Sequence, residues 1–293
     1  MAVEFVQQRD LPDQPRPPSV TGRVVVSHLE KGVGRLPRAA FSVKFVLEGE
    51  ERYVVDGRSY ILRPGEVLIV EPGGLVDVHV AGVQGARGLC LYFPTQESSG
   101  LAEQDLDLGP LHLPLVDRPF ERWLSHAASV VTKRGDLDER ASAHLLRSAG
   151  LGLPAFLDTM RARASRLNIA SCERRTEVLR RVERARAYLH DHPGRPVPLE
   201  ELAGVAGLSR FHLARSFQAV HRAPPAAYHR KHRLDQAAAM LSHRNVPLVE
   251  VADAYGFSDQ SSFTRAFSRE YGVPPGAVRN APEDWPIVPR PRT

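Results

Sequence analysis

Arg215 and Arg265 occupy matching places in a duplicated segment of this chain. Around them stand Arg210, Phe211 and His212 in one copy and Gln260, Ser261 and Ser262 in the other. The polar members of this set have the chemistry needed to read base pairs. A guanidinium matches guanine O6 and N7, a carboxamide matches adenine, and a serine hydroxyl bonds either base or phosphate. These eight residues are therefore the candidate DNA-binding set. No Ser-His-Asp set, phosphate-cradling loop or paired carboxylates can be found by spacing. No catalytic residue is expected, and the chain is not expected to be an enzyme.

Reading side chains need rigid elements behind them, and the repeat supplies those elements. Val197-Pro198-Leu199 returns as Val246-Pro247-Leu248, Gly207-Leu208-Ser209 as Gly256-Phe257-Ser258, Arg215-Ser216-Phe217 as Arg265-Ala266-Phe267, and Ala223-Pro224-Pro225 as Val273-Pro274-Pro275. The offset is 49 before the turn and 50 after it, which predicts one extra residue at the start of the second helix of the second copy. Each copy reads as a helix-turn-helix. In the first, a helix over Leu199 to Val205 precedes a turn at Gly207 and a helix capped by Ser209. In the second, Val249 to Tyr255 precedes Gly256 and a helix from about Asp259 to Tyr271. Ala203 and Ala252 admit close helix crossing, and Leu202, Leu208, Leu213, Phe217, Val251, Phe257, Phe263 and Phe267 form the expected buried faces. Between the copies, Tyr228, Leu234, Ala237, Ala238 and Leu241 recur at helical spacing, so one helix over 224–242 should fix the phase between the reading helices. Its Arg230, Lys231, His232 and Arg233 would suit phosphate contact. Two such units could read major-groove segments one turn, about 34 Å, apart.

Charge is distributed to match. Residues 173–293 hold 19 Arg and Lys against 13 Asp and Glu, whereas 1–172 hold 20 against 21. A basic C-terminal part suits a polyanion, and the near-neutral remainder serves another purpose. Cys90 and Cys172 have no metal or disulfide spacing, which fits a reducing cytoplasm. No signal segment or long apolar run is present, so a cytoplasmic protein without membrane contact is expected.

From about 23 to 94 the pattern is β: Val24 to Val26, Phe41 to Leu47, Tyr53 to Val55, Ser59 to Leu62, Val67 to Val70, Val76 to Val80 and Gly88 to Phe93. Asp56-Gly57 predicts a hairpin turn and Arg63-Pro64-Gly65-Glu66 a type II turn. Short strands and tight turns indicate a barrel or sandwich. Helical patterns follow over 119–132 and 137–164, the latter interrupted at Gly150-Leu151-Gly152-Leu153-Pro154. Its apolar face either packs on the barrel or self-associates. Phe41, Tyr53, Tyr60 and Tyr92 read as core or barrel wall, and the lone His28 and His79 as structural.

The segment Leu199 to Val278 resembles the DNA-binding domain of the AraC/XylS family of transcriptional regulators. The likeness rests most on Ala252-x-x-x-Gly256-Phe257-Ser258-Asp259-Gln260-Ser261-Ser262-Phe263-Thr264-Arg265-Ala266-Phe267 followed by Gly272-Val273-Pro274-Pro275. The run Leu47-Glu48-Gly49 through Tyr53, Asp56-Gly57, Tyr60, Pro64-Gly65-Glu66 and Pro72-Gly73 resembles the family's cupin-like sensory domains. The resemblance implies base-edge roles for Phe211, Arg215, Gln260, Ser261, Ser262 and Arg265. Ala214 departs from members with a polar reader there, which shifts specificity toward Arg215 and the second head. The histidine expected after Pro72-Gly73 in metal-binding cupins is missing, so no metal and no cofactor is expected.

The expected fold is α+β and multidomain: a cupin-like β-barrel with flanking helices, then an all-α domain with two helix-turn-helix motifs joined by a helix. Its parts are an N-terminal arm over 1–22, the effector-binding and dimerisation domain over 23–165, a linker over 166–175, the DNA-binding domain over 176–279 and a tail over 280–293. The expected function is that of a bacterial sequence-specific transcription regulator controlled by an unknown small-molecule effector. It would act on double-stranded promoter DNA as a homodimer, with RNA polymerase as a further partner. The alternatives are a cupin-type enzyme with a regulatory DNA-binding half, and a constitutive regulator whose barrel only dimerises.

Overall fold

Strand pairing in the N-terminal half follows the alternation of its side chains. Val3–Gln8 (β1) runs parallel to Gly22–Leu29 (β2). The other strands are Gly32–Arg38 (β3), Ser42–Glu48 (β4), Glu51–Val55 (β5), Arg58–Leu62 (β6), Glu66–Val70 (β7), Gly73–Val80 (β8), Ala86–Tyr92 (β9) and Leu111–Pro114 (β10). They form a six-stranded sheet in the order β1-β2-β9-β4-β7-β10 and a four-stranded sheet in the order β3-β8-β5-β6. The computed structural model describes residues 3–8, 22–30, 32–38, 41–80, 85–93, 109–115, 120, 122–124, 126, 127, 130, 139–243 and 246–278. The Pro-rich part of the arm, the polar stretch after Pro94 and the C-terminal tail lie outside them.

Both expected turns are present. Asp56 and Gly57 have φ of 50° and 76°, which gives the primed turn that matches strand twist. Glu66 N–H donates to the Arg63 carbonyl at 3.0 Å with Gly65 at φ 85°, the type II geometry. Sequence patterning missed β1, β3 and β10, and each is an edge strand. An edge strand hydrogen-bonds on one side only, so β3 tolerates Gly34 and Pro37 that would break a central strand.

The six-stranded sheet is buried on both faces. Val46, Leu68 and Val70 join Tyr53, Val55, Leu62, Val76 and Val78 in the core between the sheets. Val24, Val26, Val43, Phe45, Leu89 and Leu91 fall on the opposite face by alternation and are also buried. A long helix, Glu139–Ala164 (α1), packs on β1 and β2. Its Leu146, Leu153, Phe156, Leu157 and Met160 are buried, so the apolar face packs within its own domain and is not left free for self-association.

The expected break at 150–154 does not occur, because α1 runs unbroken through Pro154. An interior proline costs roughly 3 kcal/mol in a helix. Five buried side chains from Leu146 to Met160 outweigh that at about 1.5–3 kcal/mol each for full burial. Gly152 also has a packing role: a Cβ there would lie 2.6 Å from the Phe120 ring.

Among the described residues, seven further helices follow: Cys172–Asp191 (α2), Leu199–Ala206 (α3), Arg210–His221 (α4), Pro225–His243 (α5), Leu248–Ala254 (α6), Gln260–Tyr271 (α7) and Pro275–Val278 (α8). The chain divides into two compact units between Glu183 and Arg184, inside α2. In the second unit, Leu234, Ala237, Ala238 and Leu241 of α5 join Val251, Ala252, Phe263, Phe267, Tyr271 and Val278 in one core.

Both heads turn on a left-handed glycine, Gly207 at φ 63° and Gly256 at φ 66°, but their second helices end on different residues. Gly256 has φ +66°, and a Cβ there would lie 2.5 Å from the Gly194 carbonyl oxygen and 2.7 Å from Arg195 Cα. The C-cap of α7 is Gly272 at φ 76°, but the matching cap of α4 is Arg222 at φ 62°. Left-handed torsions cost an L-residue roughly 1–2 kcal/mol. Urea unfolding should therefore show Arg222→Gly stabilised by about 1 kcal/mol. Gly256→Ala should lose about 2 kcal/mol or more. Equal midpoints for both variants would show that neither torsion matters.

Candidate nucleic-acid interface

In the first head the chain closes α3 with a left-handed Gly207, whose N–H reaches the Gly204 carbonyl at 3.1 Å while Leu208 N–H reaches that of Ala203 at 3.1 Å. These bonds satisfy carbonyls that a helix end would leave open. Ser209 then caps α4, its hydroxyl accepting the His212 N–H at 3.3 Å. Leu213, Phe217 and Val220 are wholly buried, which fixes the helix by its back. The candidate readers Arg210, Phe211, His212 and Arg215 are all exposed, and Phe211 is 77% exposed. Arg210 forms an ion pair with Glu200 of α3. Arg215 has no polar partner among the described residues.

The second head differs at its cap. Its extra residue does not lie inside the second helix but in the turn, where Phe257-Ser258 stand opposite Leu208. Asp259, not Ser258, is the N-cap. Its Oδ1 accepts the Ser262 N–H at 2.6 Å and its Oδ2 the Ser262 hydroxyl at 3.1 Å. Ser258 Oγ also donates to Asp259 Oδ2 at 3.1 Å. The backbone bond from Ser262, then the Ser258 hydroxyl, hold the Asp259 carboxyl below its ordinary value. Arg265 donates to Ser262 Oγ at 3.2 Å, so its guanidinium is tethered to the cap. Gln260, Ser261 and Arg265 are exposed, and Ser262 is half-buried. All eight predicted residues thus fall on α4 and α7, clustered toward the helix starts. Asp259 and Glu200 were missed, although an aspartate directly before a helical pattern is an N-cap signal.

The connector α5 departs from its expected phosphate role. His232 and Arg233 are buried. Arg233 lies over the Phe257 ring at 4.8 Å and donates to the Gly256 carbonyl at 3.2 Å. Lys231 pairs with Asp235 at 2.8 Å. Arg230 alone of the four keeps partial exposure without a polar partner among the described residues. The cluster belongs mainly to the core because α5 is covered by other helices. His229, also buried, donates from Nε2 to the His192 carbonyl at 3.0 Å. Burial, then the Arg233 charge, lower its pKa to about 4.

A second polar group, also missed, lies inside the barrel. Lys44 of β4 and Glu51 of β5 are 2% and 1% exposed. Lys44 Nζ donates to Tyr92 Oη at 3.2 Å and lies 5.3 Å from the Tyr53 ring centre. Tyr53 donates to Glu51 Oε2, while Glu51 Oε1 has no hydrogen-bond partner among the described residues. A single lysine within the apolar run from Phe41 to Leu47 was the available signal. His28 is exposed and His79 half-buried. No group of three or more metal-ligating side chains occurs among the described residues.

Residues 32–150 match the profile of the AraC-like ligand binding domain, and residues 202–281 match that of a helix-turn-helix domain. The chain is 35% identical over 96 residues to the right origin-binding protein of Escherichia coli K12, covering 33% of each protein. It is 40% identical over 87 residues to the RCS-specific HTH-type transcriptional activator RclR of the same strain, covering 30% of this chain and 31% of that one. The alignments thus span about one third of these relatives' length. Among solved structures, the C-terminal domain of AraT, a response regulator from Geobacillus stearothermophilus, is 28% identical with a TM-score of 0.33, covering 36% of this chain and 90% of that one. A ligand-binding-type β domain followed by paired helix-turn-helix motifs defines a two-part regulator architecture. The chain belongs to the AraC/XylS family. Among the described residues, no helix is long and apolar enough to cross a membrane.

Two outcomes follow from this geometry. Asp259→Ala should cost about 1 kcal/mol in chemical denaturation through loss of the cap; no change would mean that the Ser262 bond contributes nothing. His229 stays neutral in the folded state down to about pH 4, whereas an unfolded histidine protonates near 6.5. The unfolded state therefore binds more protons in this window. The His229 contribution should be full above about pH 6.5 and be lost as pH falls toward 4. Unfolding curves across that range should flatten in His229→Gln, and an unaltered slope would remove His229 as the cause.

Proposed function

We propose that this protein is a sequence-specific transcription regulator whose two reading helices enter successive major-groove segments of promoter DNA. The observation that carries the reading is the split on α4 and α7: buried backs at Phe217, Phe263 and Phe267, and uncovered fronts bearing Arg215, Gln260, Ser261 and Arg265. No described residue engages the Arg215 guanidinium, which suits guanine. Phe211 suits a thymine methyl, which explains a large ring left in water. Ser262 acts through Arg265, which it holds on the groove side of the cap. Arg210 contacts phosphate on leaving Glu200, at the small cost of an exposed ion pair, about 0–1 kcal/mol.

The β domain binds a small-molecule effector that alters DNA affinity, and the protein works as a homodimer in the cytoplasm with RNA polymerase as a partner. Control follows from the effector favouring one arrangement of the protein over another. The ligand-binding profile over 32–150 and the buried polar group in the barrel support this part.

The test uses the full chain with a selected genomic site and a scrambled duplex, followed by fluorescence anisotropy. Arg215→Ala and Arg265→Ala should each lose about 1–3 kcal/mol on the selected site and relax preference at one base pair. Equal losses on both duplexes would make them phosphate contacts. Affinity should also fall steeply with salt, and no binding at low salt would overturn the reading.

A further inference from the structure

The barrel interior holds two ionisable side chains of opposite sign that do not satisfy each other. Lys44 and Glu51 are almost wholly buried, yet they form no ion pair with one another among the described residues. Lys44 has three N–H donors, and Tyr92 Oη at 3.2 Å accepts one. The rings of Tyr92 and Tyr53, at 4.7 and 5.3 Å, offer it π density and no anionic counter-charge. Glu51 uses Oε2 for the Tyr53 hydroxyl and leaves Oε1 without a partner among the described residues. Buried charges left incomplete in this way are costly to the fold. Sites that await a ligand commonly carry such a cost.

We propose that this cluster binds a small hydroxycarboxylate, with its carboxylate on the Lys44 ammonium and its hydroxyl on Glu51 Oε1. This rests on the effector reading above and narrows it to a ligand class. The ammonium supplies free donors and full charge for a carboxylate, a charge-assisted pairing. A hydroxyl can donate or accept, so it fits Glu51 in either protonation state. Burial pushes the Glu51 carboxyl up, with the Tyr53 bond and Lys44 opposing. Burial also works against the Lys44 ammonium, but its neighbours Tyr92, Cys90 and Glu51 more than offset this and hold it above its ordinary value. The unfilled N–H donors of Lys44 set the preference for an anionic group at that end of the cluster. The flanking tyrosine rings present flat apolar faces to the carbon skeleton.

The test is thermal unfolding of the full chain with glycolate, lactate or 2-hydroxybenzoate, against sodium chloride of equal ionic strength and against lactamide. At least one hydroxycarboxylate should raise Tm in a dose-dependent way, by about 3 °C at tenfold its Kd. Lactamide should not raise it. Lys44→Met should lose the response, and Glu51→Gln should weaken it. If Lys44→Met does not fold, the Cε resonance of Lys44 in the wild-type protein should shift on titration with the active carboxylate. No Tm rise with any of the three, an equal rise with lactamide, or a response kept in Lys44→Met overturns the site. DNA affinity measured in parallel separates the two readings. A Tm rise without a change in DNA affinity keeps the site and removes its control of DNA binding. A different metabolite that changes DNA affinity, with no Tm rise from the three acids, keeps effector control and removes this site.

Discussion

Phe217 in one head and Phe263 with Phe267 in the other are completely buried, and the arrangement of the DNA-facing unit depends on that burial. A short reading helix of 12 residues, the length of both α4 and α7, is marginal by itself in water. Its front must stay uncovered to meet a ligand, so stabilisation has to come from its back. The aromatic residues provide it, at about 1.5–3 kcal/mol for each fully buried large side chain. Ala203 and Ala252 let the supporting helix come close enough for those rings to be enclosed, and both are buried. The division between a fixed scaffold and free readers is thus a consequence of packing geometry.

The two heads share that scaffold and differ in electrostatics. In the first, Glu200 partners Arg210 and leaves Arg215 unengaged among the described residues. In the second, the cap made by Asp259 extends through Ser262 to Arg265. One arginine front is thereby loose and the other pre-oriented. The single-residue offset in the repeat has its physical meaning here, since it allows an aspartate to follow the serine and take over the cap. An anionic cap interacts well with a helix N-terminus, and it brings an oxygen network within reach of a guanidinium one turn away.

The β domain solves a different problem. Its larger sheet is covered on both faces, by the smaller sheet on one and by apolar packing that includes α1 on the other. In such an interior almost every inward position should be apolar, and Val46, Val55, Leu68 and Val78 obey. Lys44 on one sheet and Glu51 on the other violate the pattern. Departures from consistent patterning concentrate where a protein binds something. The tyrosines around them make the exception tolerable by offering one hydroxyl to each charge.

By itself the sequence determined everything that depends on local chemistry or on repetition. Asp56-Gly57 and Pro64-Gly65 specify their turns because few residues reach those torsions. The duplicated Ala, Gly and Phe positions specify both heads, and the exposed fronts of α4 and α7 carry the residues that spacing had put there. Tertiary structure decided what depends on neighbours distant in sequence. It kept α1 helical through Pro154 because Leu153, Phe156 and Leu157 are buried around it. It recruited β1, β3 and β10 as edge strands, whose single-sided pairing needs little of the usual pattern. It also turned His232 and Arg233 of the connector inward, and it placed Lys44 beside Tyr92 of the neighbouring strand β9 and near Tyr53 of the other sheet. A charge in sequence carries no label for the side of an element it will occupy. Only the packing of the other elements around it settles whether it meets water, DNA or a closed interior.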